Sequence, residues 1–175
     1  MPAAGQAWKR RGELARLAHE ELHEALRAGV RDRDPARYDA LLRDFHRKTA
    51  EALPSTVPGF LAGLAAGETR HVATAIAFLE ADPWFFRSGY EKQNLIRYVK
   101  RARLREAQKQ RLGFVVLAAI EGRDRQEFRH FGRLACAVWS DFLDEQVAER
   151  MTSADPGIKR RATWIAEAAV SAGKA

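Results

Sequence analysis

Cysteine is almost absent from this chain of 175 residues, and a long apolar run is absent altogether. The one cysteine, Cys136, cannot form a disulfide within the chain. The longest stretch without charge, residues 53–67, has only fifteen residues and is interrupted by Pro54 and Pro58, which excludes a bilayer span. No apolar segment follows the basic residues near the start, so we expect no signal peptide and no membrane partner, and a cytoplasmic location.

Sustained alternation of polar and apolar residues, the pattern of a half-buried strand, is missing as well. Apolar residues instead recur at spacings of three and four along most of the chain, which predicts an all-α fold. We expect a single domain over residues 1–175, with about seven or eight helices in an antiparallel bundle or in stacked helical hairpins. Residues 152–175 are expected to form a C-terminal helix that is mobile or docked on a partner.

Local signals predict where several helices begin and end. Asp34 followed by Pro35 is typical of a helix start, because the carboxylate caps the first turn and proline suits the first helical position. Pro54 is expected to end the same helix. Over residues 126–150 the apolar residues keep one helical stripe, and this pattern predicts the longest helix of the chain.

Four aromatic residues occur close together at a junction between two predicted helices: Trp84, Phe85, Phe86 and Tyr90. Large aromatic side chains at such a junction usually anchor the packing. They could instead form a platform on which nucleic-acid bases stack. We expect the packing role, and with it a buried Trp84.

The excess positive charge lies in one part of the chain. The sequence has 30 Lys and Arg against 23 Asp and Glu, a net charge of +7. Residues 87–111 alone hold nine basic and two acidic residues, whereas residues 1–86 hold twelve of each and residues 112–175 nine of each. Such a concentration is typical of a surface that faces a polyanion.

The basic segment is predicted to form two helices, over about residues 91–102 and 105–121, joined by a short link. Their apolar residues define inward faces, and the cations remain outside. We expect a non-enzymatic protein that binds the phosphate backbone of DNA or RNA with little sequence specificity. The residues expected to contact phosphate are Arg97, Lys100, Arg101, Arg103, Arg105, Lys109 and Arg111.

Two other interpretations of the same charge stay open. The chain could be a helical adaptor or scaffold subunit whose basic patch binds an acidic protein partner. The patch could also be a solvated face, or be neutralised by an acidic row on a later helix, in the same chain or in another copy. That row comprises Asp141, Asp144, Glu145 and Glu149.

One short motif suggests an enzyme. Residues 19–23 match the H-E-x-x-H pattern and resemble the zinc-protease helix over those five residues, which implies a hydrolase with His19 and His23 as ligands and Glu20 as the base. The neighbouring glutamates are charged, and no second motif supplies a third ligand. We therefore expect solvated histidines and no bound metal. The glycines do not form a phosphate loop, and no motif predicts a cofactor.

Overall fold

The computed structural model describes residues 3–124 and 126–174, and within them it contains ten α-helices and no strand. The helices are α1 (Ala3–Arg27), α2 (Val30–Arg33), α3 (Pro35–Glu51), α4 (Phe60–Ala65), α5 (Thr69–Ala81), α6 (Ser88–Val99), α7 (Glu106–Glu121), α8 (Phe128–Val138), α9 (Asp141–Met151) and α10 (Pro156–Ser171). A 3-10 turn, Pro54–Thr56, lies between α3 and α4. Eight of the ten have seven residues or more. The all-α prediction and the predicted number of helices are confirmed.

Capping side chains explain why α3 begins where the sequence predicts and why the single helix predicted over residues 126–150 is wrong. The Asp34 carboxylate accepts a hydrogen bond from the Arg37 N–H at 3.0 Å, and α3 begins at Pro35 as predicted. Residues 126–150, however, form two helices. The Ser140 hydroxyl accepts a hydrogen bond from the Leu143 N–H at 3.3 Å and starts α9 anew. The apolar stripe continues across the break, so periodicity alone could not reveal it.

The main core is shared by α1 and by α4 to α10. Its fully buried side chains include Phe78, Leu95, Leu112, Leu134 and Ile165. A smaller cluster of Ala18, Leu22 and Phe45 joins α1 to α3. The C-terminal helix α10 is docked on its own chain, because Ala162, Ile165 and Ala169 are completely buried against its neighbours.

The aromatic junction between α5 and α6 differs from the prediction. Only Phe85 is buried, whereas Trp84 is 59% exposed and Phe86 and Tyr90 are also exposed. Successive side chains of the link between the helices point to opposite sides, with Pro83 and Phe85 inside and Trp84 and Phe86 outside. Phe85 therefore has the expected place in the core. The half-exposed Phe86 packs against the rings of His19 and Phe45 at the surface.

Two glycines allow close contacts beneath this link and in α4. A Cβ atom on Gly12 would lie 2.7 Å from the Pro83 Cβ, so α1 can carry only glycine where the link crosses it. A Cβ atom on Gly63 would overlap the ring of His71. That ring is buried and packs edge-on against Phe60, with 5.2 Å between the ring centroids. Both positions require the absence of a side chain rather than an unusual backbone conformation.

Candidate nucleic-acid interface

The basic segment has a buried apolar side and an exposed cationic side, as its periodicity predicts. On α6, Leu95 and Val99 are fully buried, and on α7, Leu112 and Val116 are fully buried. Six cations of the segment have no ion pair with any residue that the structure describes. One of them, the exposed Arg87, lies apart from the others at the start of α6. The other five lie at the end of α6 and in the link to α7: Arg97, Arg101, Arg103 and Arg105, all exposed, and the half-buried Lys100.

The start of α7 fixes the direction of the link that carries four of these cations. Arg105 occupies the N-cap position with an extended backbone. Its N–H donates a hydrogen bond to the Gln108 Oε1 atom at 2.9 Å, which closes the first turn of the helix. The short link from Lys100 to Arg105 therefore joins the end of α6 to the start of α7 and places four cations within six residues.

The remaining cations of the segment are already paired. Arg111 donates two hydrogen bonds to the Glu80 carboxylate, at 2.6 and 2.7 Å, and this interaction raises the pKa of Arg111. Lys92 is only 1% exposed and lies 2.6 Å from the Asp82 carboxylate. Both were counted in the excess charge, but both stabilise contacts of α5 with its neighbours. Arg111 is thus poorly suited to the phosphate contact that the sequence predicts for it.

Lys109 forms an ion pair with a carboxylate that is more exposed than the partners of Lys92 and Arg111. Its Nζ atom lies 2.7 Å from the Glu106 Oε1 atom, one turn away on the surface of α7, and the Glu106 side chain is largely exposed. An exposed pair of this kind contributes little to stability, so the lysine can exchange the carboxylate for a phosphate. Lys109 stays a candidate at the edge of the interface.

Two cations that the sequence did not single out, Arg129 and Arg133, extend the surface onto α8. Both are exposed, lie one turn apart and have no ion pair within the described residues. Between them in the sequence lies His130, which is buried, and α8 packs against α6. Burial lowers the pKa of His130, and so do the positive charges of four neighbours: Arg133, Arg129, Arg97 and Lys100.

These four cations therefore converge on one imidazole from two helices. The Nε2 atom of His130 is buried and has no hydrogen-bond partner among the described residues. A charge count could not find Arg129 and Arg133, since residues 112–175 are neutral in sum. The sequence signal for Arg129 and Arg133 was their spacing of four residues, which places both on one face of a helix. We call the set of seven unpaired cations the basic surface: Arg97, Lys100, Arg101, Arg103, Arg105, Arg129 and Arg133.

The acidic row on α9 does not neutralise this surface. Within the described residues, none of Asp141, Asp144, Glu145 and Glu149 forms an ion pair with any member of it. Among the described residues, the ion pair that the row does form joins Glu149 to Arg150, 3.9 Å apart. Intramolecular neutralisation, one of the alternatives left open by the sequence, is therefore not observed.

The H-E-x-x-H motif lies on α1, and its side chains have other contacts. Glu20 forms an ion pair with Arg16. The His19 ring stacks on Phe86, with 5.1 Å between centroids, and contacts His23 at 4.3 Å. Burial, and then the charge of His23, lowers the pKa of His19. In the part of the chain that the structure describes, no three His, Cys, Asp or Glu side chains are grouped so that they could hold a metal ion.

Comparison with protein-family models, with curated proteins and with solved structures found no match for this chain. Among the described helices, none combines the length and the apolar character that crossing a membrane requires. The basic surface therefore has to be interpreted from its own chemistry.

Proposed function

We propose that the protein binds nucleic acid without catalysing a reaction, through contacts of its basic surface with the phosphate backbone of DNA or RNA. The observation that carries the proposal is the set of seven cations without an ion pair among the described residues. Some arginines elsewhere in the chain are paired, such as Arg47 with Asp44 and Arg150 with Glu121. The cations of the basic surface instead lie together on α6, on α8 and in the link to α7 with no acidic partner among the described residues. A polyanion gains affinity from unneutralised cations because it releases its own counterions on binding.

The arrangement around His130 supports the same proposal. Four like charges near one buried imidazole repel each other, and this repulsion opposes folding. A phosphate group between α6 and α8 would remove the repulsion. Three of the four are arginines, whose planar guanidinium groups can donate two parallel hydrogen bonds to one phosphate. Contacts of this kind position a nucleic acid but carry no sequence information.

An acidic protein partner would use the same charges, and one experiment separates the two possibilities. Binding of the protein to two 20-base-pair duplexes of unrelated sequence, and to single strands, is measured over a series of salt concentrations. Polyglutamate of matched charge serves as a competitor. If five to seven phosphates are contacted, the slope of log affinity against log salt should be about −4 to −6, alike for both duplexes.

Polyglutamate should compete weakly, since its charges lack the spacing of a phosphate backbone. Absence of any salt-dependent binding to DNA or RNA at low ionic strength would contradict the proposal. In that case a helical adaptor with an acidic partner would explain the basic surface better.

A further inference from the structure

An aromatic cleft adjoins the basic surface on the side of α10. It lies between α8 and α10 and has a volume of about 380 Å³. Its buried lining residues are Phe128, Gly132 and Ile165. A Cβ atom on Gly132 would lie only 3.6 Å from the Ala168 Cβ, so the small residues bring the two helices close together at this point. The cleft is mainly apolar and open to solvent.

Trp164 forms one wall of the cleft without being part of the core. Its side chain is 52% exposed, although the next residue, Ile165, is completely buried. The Phe128 ring lies 6.1 Å away at an angle of 50°. Trp164 also lines a second cleft of about 380 Å³, together with Arg160 and Arg161. An indole that is half exposed between two clefts offers a flat surface to a ligand.

Cations lie at the edge of this aromatic site. Arg129 belongs to the basic surface and also lines the cleft. The guanidinium carbon of Arg160 lies 5.7 Å from the centre of the Trp164 ring. Arg160 is, however, paired with Asp124 at 2.6 Å, so Arg129 is the cation of this site that is available to a ligand. A complementary ligand therefore needs a flat aromatic group joined to negative charge. Nucleotides of a single strand have this combination, whereas bases in a duplex are stacked on each other and cannot enter a cleft.

We infer that the protein prefers single-stranded nucleic acid, with one base stacked on Trp164 in the cleft and the adjoining phosphates on Arg129 and the rest of the basic surface. This inference rests on the proposed function, because it assigns the base of a strand whose phosphates the basic surface holds. Stacking on an aromatic ring tolerates any base, so the preference is for strand type rather than for sequence.

The test compares two tryptophan variants on four probes. Trp164→Leu removes the stacking surface but keeps an apolar side chain, and Trp84→Leu is the matched control. Trp84 is similarly exposed and also lies under an arginine, with the Arg123 guanidinium carbon 4.5 Å from its ring centre, but it does not line the cleft. The probes are dT20, rU20, a 20-residue strand of abasic sugar phosphates and a 20-base-pair duplex.

We expect Trp164→Leu to weaken binding of the base-bearing strand by about tenfold, the loss typical of one base–aromatic stack. Its affinities for the abasic strand and the duplex should not change, and neither should the salt slope. Trp164→Phe, which keeps an aromatic ring, should recover most of the affinity. A larger loss on rU20 than on dT20 would identify RNA as the ligand, and the reverse would identify DNA.

Several results would overturn the inference while leaving the proposed function intact. They are an unchanged affinity of Trp164→Leu for both base-bearing strands, an equal loss on the duplex, or a loss in Trp84→Leu instead. A change from dimer to monomer in Trp164→Leu, with affinities unaltered, would show that the cleft holds a second copy of the chain. Failure of the wild-type protein to bind any of the four probes would instead refute the proposed function itself.

Discussion

Arg111 and Glu80 form a two-pronged ion pair between α7 and α5, with Nε–Oε1 and Nη2–Oε2 distances of 2.6 and 2.7 Å. The two residues are 31 positions apart in the chain, and the Glu80 side chain is largely buried. This geometry holds the two helices together. It also means that a cation in the most basic part of the sequence is already neutralised.

Replacing Arg111 should therefore affect stability more than binding, and replacing Arg101 should do the reverse. We expect Arg111→Gln to lower the free energy of unfolding by about 1 kcal/mol, because it leaves a partly buried carboxylate with weaker partners. Arg101→Gln should leave stability within about 0.5 kcal/mol and reduce the salt slope on duplex DNA by about one unit. Chemical denaturation measures the stability of each variant, and salt-dependent gel shifts measure its affinity for DNA. Equal effects of the two variants on affinity would contradict this distinction.

Removal of four charges from the basic surface should abolish most of the binding without unfolding the protein. The variant carries glutamine at Arg97, Arg101, Arg129 and Arg133, and glutamine is a good helix former. The slope of log affinity against log salt on duplex DNA should fall in magnitude by about 3 to 4 units.

A charge-matched control makes this result specific. It carries glutamine at four exposed arginines that lie far along the chain from the basic surface: Arg10, Arg31, Arg37 and Arg43. Both variants have the same net charge, so an effect of net charge alone would weaken binding equally. We expect the control to keep nearly the whole slope.

Truncation to alanine should reduce stability much less at the exposed Trp84 than at the buried Phe85. Trp84→Ala should lower the free energy of unfolding by about 1 kcal/mol or less, since 59% of the side chain is already in contact with water. Phe85→Ala should lower it by about 3 kcal/mol or more, since that ring is only 5% exposed. Thermal or urea unfolding gives both values. A large loss in Trp84→Ala would restore the packing role that the sequence predicts.

Two helical glycines should respond in opposite ways to alanine. At Gly63 the new methyl group would overlap the buried His71 ring, so we expect a loss of about 1 to 3 kcal/mol in unfolding free energy. At Gly113, in α7, no atom lies within 4 Å of the position of the new Cβ apart from the adjoining residues and backbone of the helix itself. Gly113→Ala should gain about 0.5 to 1 kcal/mol from helix propensity. Urea denaturation curves of the two variants give both changes in stability. Wild-type stability of Gly63→Ala would show that His71 moves freely.

His130 should make folding sensitive to pH below neutrality. Burial and the cations Arg133, Arg129, Arg97 and Lys100 lower its pKa in the folded protein. As pH falls through the ordinary value of about 6.5, the unfolded chain therefore binds more protons than the folded one, and stability decreases. The loss from this residue is at most about 1.4 kcal/mol per pH unit.

The measurement compares the free energy of unfolding at pH 7.5 and at pH 5.5. Protonation of carboxylates contributes little to the change of stability over this range. His130→Gln should lose less stability than the wild type over this range. His19→Gln controls for the other imidazole whose pKa is lowered. If both single variants keep the full pH dependence of the wild type, then neither imidazole is responsible for it.

The candidate site was only partly predictable, for a reason that individual residues illustrate. Arg97, Lys100, Arg101, Arg103 and Arg105 are unpaired within the described residues, as a polyanion-facing surface requires. Arg111 was assigned to the same surface and is paired, while Arg129 and Arg133 were passed over because acidic residues elsewhere balance them in sum. A charge count has no information about which partner each cation meets.

Local rules of the sequence determined the helical fold, the start of α3 at Pro35 and the inward faces of α6 and α7, since capping and helical periodicity involve residues only a few positions apart. Tertiary structure decided which charges stay free and which aromatic rings stay exposed. Arg111 is neutralised only because α7 packs against α5, and Trp84 is outside only because Pro83 and Phe85 are held inside. Pairing and burial depend on contacts between residues distant in sequence, which no local pattern contains.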